Sequence, residues 1–215
     1  MVTRLVGLAR PLPPAVHRTI VVVDVEGFGD RRRTNLHQIA VRAGLYRALK
    51  RAFRHAQIPW GRCYREDRGD GVFILVPAEV TKSRFVSTLP EALSLALGEH
   101  NQRHRPEEQI RLRMGLHAGE INYDEHGVTA VAINLAFRLV NAEPLKAALT
   151  ESRGDLAIIT SSWFFDEVIR NSASDDLSRY VPTRVAVKET TTTGWVYLPG
   201  HDADQRPSGW PIAAR

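Results

Sequence analysis

The chain has 215 residues, 43% of them hydrophobic and 25% charged, enough for one domain with a full core. No apolar run approaches the roughly 20 residues of a membrane helix, so no membrane partner is expected. Cys63 is the only cysteine, which excludes an intrachain disulfide and leads us to expect a cytoplasmic location. The 29 Lys and Arg exceed the 24 Asp and Glu, so a polyanion is a natural partner. No aromatic residues interleave with the cluster Arg31-Arg32-Arg33, which does not suggest a platform for single-stranded nucleic acid.

Residues 1–18 read as an N-terminal arm and not as a signal peptide, 19–199 as one domain, and 200–215 as a disordered tail. Residues 19–25, TIVVVDV, form a β-branched run that predicts a buried strand. The turn EGFGD follows. Leu36, Ile39, Ala43, Tyr46, Leu49 and Phe53 then recur at spacings of three and four, which predicts an amphipathic helix over 35–53 with those positions on its inner face. Gly69-Asp70-Gly71 between two extended runs predicts a β-hairpin, whose second strand ends at Pro77. A second helix carries Phe85, Leu89, Leu93, Ala96 and Leu97. Leu112, Met114 and Leu116 alternate with Arg111, Arg113 and Gly115, a half-buried strand. This order, βαββαβ, is the ferredoxin-like α+β plan with both helices on one face of an antiparallel sheet. A helix over about 131–149, the strand LAIIT, a short helix opened by Ser161-Ser162 and a hairpin near 183–198 complete the chain.

In such a sheet Asp24, near the end of the first strand, lies beside Asp70 in the central hairpin. Two neighbouring carboxylates repel unless a proton or cation lies between them. Hard divalent ions held by carboxylate, carbonyl and phosphate oxygens are one solution. Gly27 and Gly29, just ahead of a helix, leave backbone N–H groups open to phosphate. A lone Asp at a strand end is more often a cap or turn residue, and a lone His117 is more often a core histidine than a base.

The motifs together resemble class III adenylyl and guanylyl cyclases. VVVDVEGFGD resembles their metal-binding segment, DRGDGVFILV their central hairpin, and RLRMGLHAGEI their R-x-G-[IL]-H-x-G-E-[IV] strand. AVAINLAFRL resembles their V-N-x-A-x-R-L helix, and VKETTTTGWVYLPG their terminal K-G…V-Y strand pair. The five matches occur in family order across residues 19–199. The resemblance implies cyclisation of a nucleoside triphosphate with two Mg²⁺ or Mn²⁺ ions per site. Asp24, Asp70 and the Val25 carbonyl would hold the metals. Asn134 would orient the ribose, Arg138 would stabilise charge on the α-phosphate, and Lys188 would meet the terminal phosphates. Gly27 and Phe28 would lie along the triphosphate. It also implies a homodimer, because the family draws the aspartates and the Asn/Arg pair from different subunits.

Base selection in the family rests on two positions. Glu66, three before the hairpin glycine, matches the guanylyl type. A carboxylate can accept the N1–H and 2-amino groups of guanine. Gly127, seven before Asn134, offers no side chain, so neither purine pattern is complete. In this the chain also resembles the pyrimidine cyclases of bacterial anti-phage signalling, the Pycsar type. That implies UTP or CTP as substrate, cUMP or cCMP as product, and a separate cyclic-nucleotide-binding effector. Tyr64 and Arg65 enter the pocket region as candidate base contacts, but alternation lets only one of them face inward. Arg68 stands where the family usually has a small or apolar residue, and either tunes phosphate contact or is simply exposed. Guanylyl cyclase activity, and an inactive nucleotide-binding regulatory domain, remain alternatives.

Overall fold

The computed structural model describes residues 14–172 and 177–200. All but Gly200 of the expected tail at 200–215, and most of the N-terminal arm, lie outside the described residues. The first strand, β1 (Val16–Val25), starts three residues earlier than the apolar run suggested. Helix α1 (Asn35–His55) follows, then β2 (Tyr64–Asp67) and β3 (Gly71–Pro77), then α2 (Arg84–Ser87) and α3 (Leu89–Asn101). After these come β4 (Leu112–Asp124), β5 (Gly127–Thr129), α4 (Val131–Val140), α5 (Glu143–Glu151), β6 (Leu156–Ser161) and α6 (Ser162–Phe164). The hairpin of β7 (Val181–Val187) and β8 (Thr190–Tyr197) closes the order.

The main sheet runs β2-β3-β1-β4-β6-β8-β7, with β5 paired to β4 at one side. The first four strands are mutually antiparallel in the ferredoxin-like order, while β4 and β6 are parallel. Two cores lie on opposite faces. Val21, Val23, Val25, Val72, Ile74 and Leu112 pack under α1 and α3. Ile20, Val22, Phe73 and Leu75 pack under α4 and α5. Alternation along each strand therefore buries both faces, each large side chain contributing about 1.5–3 kcal/mol.

The α1 and α3 pair lies on one face, as the ferredoxin-like plan requires. The strand expected to be half-buried is covered on both faces. Its Arg113, Gly115, His117, Gly119 row turns toward α4, and a Cβ on Gly115 would lie 3.0 Å from the Ala136 carbonyl oxygen. The helix expected at 131–149 is two helices. Pro144 has no N–H for the Val140 carbonyl and its ring would strike it, so α4 stops at Val140 and Pro144 opens α5. Pro90 likewise separates α2 from α3.

The inner face of α1 is not the one the spacing suggested. Val41, Gly44, Leu45, Ala48, Leu49, Ala52 and Phe53 are buried, whereas Leu36 and Ile39 are 76% and 62% exposed. Only the last two turns follow the expected stripe. Thr34 caps the helix, its hydroxyl accepting from the His37 N–H while His37 Nδ1 accepts from the Thr34 N–H. Among the described residues no helix is long and apolar enough to cross a membrane.

At Gly71 the strands β1 and β3 come closest. A Cβ there would sit 2.0 Å from the Val23 carbonyl oxygen. Gly71→Ala is expected to lower stability by about 2–3 kcal/mol, read from urea denaturation at pH 7. An unchanged midpoint would mean that the two strands can separate freely.

Candidate active site

The β1–β3 register pairs Asp24 with Gly71, and the Val25 N–H donates to the Asp70 carbonyl at 2.9 Å. The two aspartates thus stand side by side at one end of the central strand pair. The Asp24 carboxyl is pushed up from the usual range, chiefly by burial and further by Asp70, against the opposing pull of Arg113. Val25 buries its side chain in the core under α1.

Arg113 was not singled out in the sequence, although it belongs to the RLRMGLHAGEI segment. The β1–β4 register sets it directly across from Asp24. Its Nη2 donates to Asp24 Oδ2, and its buried Nε has no hydrogen-bond partner among the described residues. The period-2 reading placed Arg113 on the face opposite Leu112, but only strand pairing shows which carboxylate it meets. Lys146 of α5 adds further positive potential at Asp24.

Asp24 and Asp70 line a cleft of about 520 Å³ together with Arg68, Val128, Asn134, Phe137 and Asn141. Asn134 is exposed on α4 and faces this cleft. Arg138, one turn on, does not line it. Its guanidinium donates to Glu189 Oε1 and Thr190 Oγ1, at the start of β8. Lys188 is exposed beside them in the β7–β8 turn, in the left-handed region at φ 51°. The chain therefore gathers Asp24, Asp70 and Asn134 in one place, and Arg138 with the Lys188 turn in another. Gly27 lines a neighbouring cleft of about 430 Å³ with Glu26, Arg32, Arg33 and Arg111. Phe28 packs on the core under α1, so its side chain is partly taken up by structure.

Tyr64 and Glu66 share the α4 side of β2, because they pair with Leu75 and Phe73 of that face. Arg65 points away and sits over Trp60 at 4.8 Å from the ring centroid. Alternation is thus decided in favour of Tyr64. Its hydroxyl donates to Glu66 Oε1 and would lie 3.6 Å from a Cβ on Gly127. The two positions expected to read the base, Glu66 and Gly127, are therefore bridged by one tyrosine. Arg68 is not a bystander either, since its guanidinium pairs with Glu66 at 2.8 Å.

Among the described residues no group of three or more His, Cys, Asp or Glu side chains could hold a metal ion. The aspartate pair nevertheless fits hard divalent cations: both ligands are oxygen donors, and burial and mutual repulsion disfavour the Asp24 anion without added positive charge. Backbone and phosphate oxygens would have to complete the coordination.

No family model matches the sequence, and no curated protein matches it. Solved structures do match. The guanylyl cyclase Cya2 superimposes with a TM-score of 0.61 at 18% identity, over 94% of this chain and 100% of that one. An adenylate/guanylate cyclase/hydrolase from Silicibacter pomeroyi gives 0.59 at 17%, over 86% and 98%. The guanylate cyclase domain of RhGC from Catenaria anguillulae, in complex with GTP, gives 0.54 at 15%, over 85% and 96%. The chain has the fold of a class III nucleotidyl cyclase catalytic domain. Identities this low carry the fold alone. On that fold, β1 carries Asp24, the β2–β3 turn carries Asp70, and α4 carries Asn134 and Arg138.

His117 on β4 is buried and not aimed into the aspartate cleft. The Ser161 hydroxyl accepts the Phe164 N–H at 3.1 Å and is free to donate to a neutral His117 Nδ1 at 2.7 Å. Trp163 packs edge-on to the ring at 6.3 Å. Burial, then the nearby His17, lowers the His117 pKa to about 4. The unfolded chain takes up this proton near the ordinary pKa of about 6.5, while the folded chain resists it until about 4. Stability should therefore fall by about 3 kcal/mol as pH drops from 6.5 to 4. Urea denaturation of wild type and His117→Gln at pH 7 and pH 5 checks this: the variant should show a shallower loss.

Proposed function

We propose that the chain is a nucleotidyl cyclase that closes a nucleoside triphosphate into a 3′,5′-cyclic nucleotide and releases pyrophosphate. The observation that carries this reading is the Asp24–Asp70 pair at the end of the two central strands, in a cleft shared with Asn134. The reaction forms a bond from the ribose 3′-oxygen to the α-phosphorus and breaks the bond to the β-phosphate. Two Mg²⁺ or Mn²⁺ ions, when held by Asp24, Asp70 and the Val25 carbonyl, supply charge neutralisation and acidify the 3′-hydroxyl. Asn134 holds the ribose. Arg138 stabilises charge on the α-phosphate, where a fixed guanidinium in a desolvated site is most effective. Lys188 meets the terminal phosphates, and the backbone at Gly27 and Phe28 lies along them.

A homodimer completes the site. Arg138 and Lys188 sit at the β7–β8 turn and not at the cleft of their own aspartates, which supports their supply by a second subunit, whereas Asn134, expected with Arg138 from the partner, lines the cleft of its own aspartates. Glu189 and Thr190 hold the Arg138 guanidinium until phosphate replaces them. The substrate is a pyrimidine triphosphate, UTP or CTP. The reading is supported by Tyr64, whose hydroxyl donates to Glu66 and would lie 3.6 Å from a Cβ on Gly127, so that it ties together the two positions that read a purine in the family. The product, cUMP or cCMP, would act in the cytoplasm on a cyclic-nucleotide-binding effector in anti-phage defence. A second reading, a nucleotide-binding domain without turnover, is favoured by the Arg113 guanidinium already seated on Asp24.

Incubation of the purified protein with ATP, GTP, CTP and UTP and Mn²⁺ should give a cyclic product and pyrophosphate from the pyrimidines. Asp70→Ala should abolish turnover by at least a hundredfold while the protein stays folded. Retained activity would remove the metal assignment. Mixing Asp70→Ala with Arg138→Ala should restore about a quarter of wild-type activity, because half of randomly assorted dimers are mixed and each keeps one intact site. Mixed dimers without activity would count against a shared site.

A further inference from the structure

Tyr64, Glu66 and Arg68 occupy alternate positions from β2 into the hairpin turn, and the side chains of all three gather on the α4 side of the sheet. The odd-numbered Arg65 and Asp67 turn the other way, Arg65 onto Trp60 and Asp67 into the grip of Arg42 and Tyr46 on α1. On the cleft side the Tyr64 hydroxyl donates to Glu66 Oε1, and Arg68 Nη2 lies 2.8 Å from Glu66 Oε2. The Arg68 guanidinium carbon is 5.2 Å from the Phe137 ring centroid and 5.9 Å from that of Phe73. It is thus held over two aromatic rings. Arg68 lines the same cleft as Asp24, Asp70 and Asn134.

Both carboxylate oxygens of Glu66 therefore have an internal partner, and its charge is offset by a cation in contact with it. A glutamate that reads guanine must turn both oxygens to the adjacent N1–H and 2-amino groups of the base. Here that would displace the Tyr64 hydroxyl and separate the Arg68 ion pair, with only one interaction regained for each lost. Pyrimidines differ from purines at the atom that matters to Arg68. Beside the glycosidic nitrogen, uracil and cytosine carry the C2 carbonyl oxygen, a strong acceptor; purines carry the weaker ring acceptor N3 there, flanked in guanine by the 2-amino donor. A guanidinium has five N–H donors and no acceptor, so it can serve that oxygen and repels an amino group.

We propose that Arg68 is the base-selecting residue of this chain. It withholds Glu66 from a guanine edge and donates an N–H to the C2 carbonyl of a pyrimidine nucleoside triphosphate. The choice of reaction rests on the cyclase reading above, whereas the choice of base is a matter of binding and can be measured separately.

Isothermal titration with the non-cyclisable α,β-methylene analogues of UTP, CTP and GTP, in the presence of Mg²⁺, tests it. Wild type should bind the pyrimidine analogues about tenfold or more tighter than the GTP analogue. Arg68→Ala should shift that ratio about tenfold toward GTP, because Glu66 is released. The double variant Arg68→Ala/Glu66→Ala should lose the gain in GTP binding while pyrimidine binding stays weak. Arg68→Lys, which keeps the charge without the planar fork, should retain most of the discrimination against GTP and lose part of the pyrimidine affinity. An unchanged ratio in Arg68→Ala, a wild type that prefers the GTP analogue, or no binding of any analogue overturns the proposal. The expected binding ratios without cyclic product from any triphosphate would overturn the cyclase reading and leave this one standing.

Discussion

A buried carboxylate on the central strand sets the terms for the rest of the molecule. Asp24 lies near the end of β1, between Gly71 of β3 and Arg113 of β4. Its ionised form is disfavoured by burial and by Asp70, and favoured by Arg113. Added positive charge favours the ionised form of such a group. The strand that carries it is flanked on both sides and covered on both faces, so it cannot relax to relieve the conflict. Arg113 and Lys146 supply positive charge against it in the protein alone.

The two-sided core explains how the cleft is held in place. The even-numbered residues of β1 belong to the α4 face, so Asp24 continues the row of Ile20 and Val22 out of the core and into the cleft. Gly115 and Gly119 let α4 lie close against β4, since a Cβ at Gly119 would come within 2.6 Å of the Ala132 Cβ. Close seating of α4 brings Asn134 to the aspartates. The termination of α4 at Val140, forced by Pro144, leaves Val140 and Asn141 lining the cleft.

Alternation of side chains along β2 divides the labour of the hairpin. Its inner row, Tyr64, Glu66 and Arg68, forms a linked polar chain on the cleft side. Asp67 on the outer row fixes the turn, accepting from the Arg42 guanidinium, the Tyr46 hydroxyl and the Gly69 N–H. Burial is slight at Asp67, and these donors hold its carboxyl down at about 2. The turn that presents Asp70 is therefore anchored to α1 by charge, while the other row stays on the α4 side of the sheet.

Local pattern alone determined a good deal. The β-branched run before Asp24, the glycine-flanked Asp70, the alternation from Leu112 and the i, i+4 spacing of Asn134 and Arg138 each report a period or a turn that neighbouring residues impose, and the order of elements follows from them. What local pattern could not supply was partnership between distant segments. The stripe from Leu36 and Ile39 has helical spacing, yet its first turns stay exposed. Arg113 meeting Asp24, Arg138 turning to Glu189, and Arg68 pairing with Glu66 all depend on strand register and on how a helix or turn is seated. Sequence spacing has a period of two or of 3.6 and says nothing of which strand lies alongside. Register is a property of the assembled sheet, so these contacts were decided only by the tertiary structure.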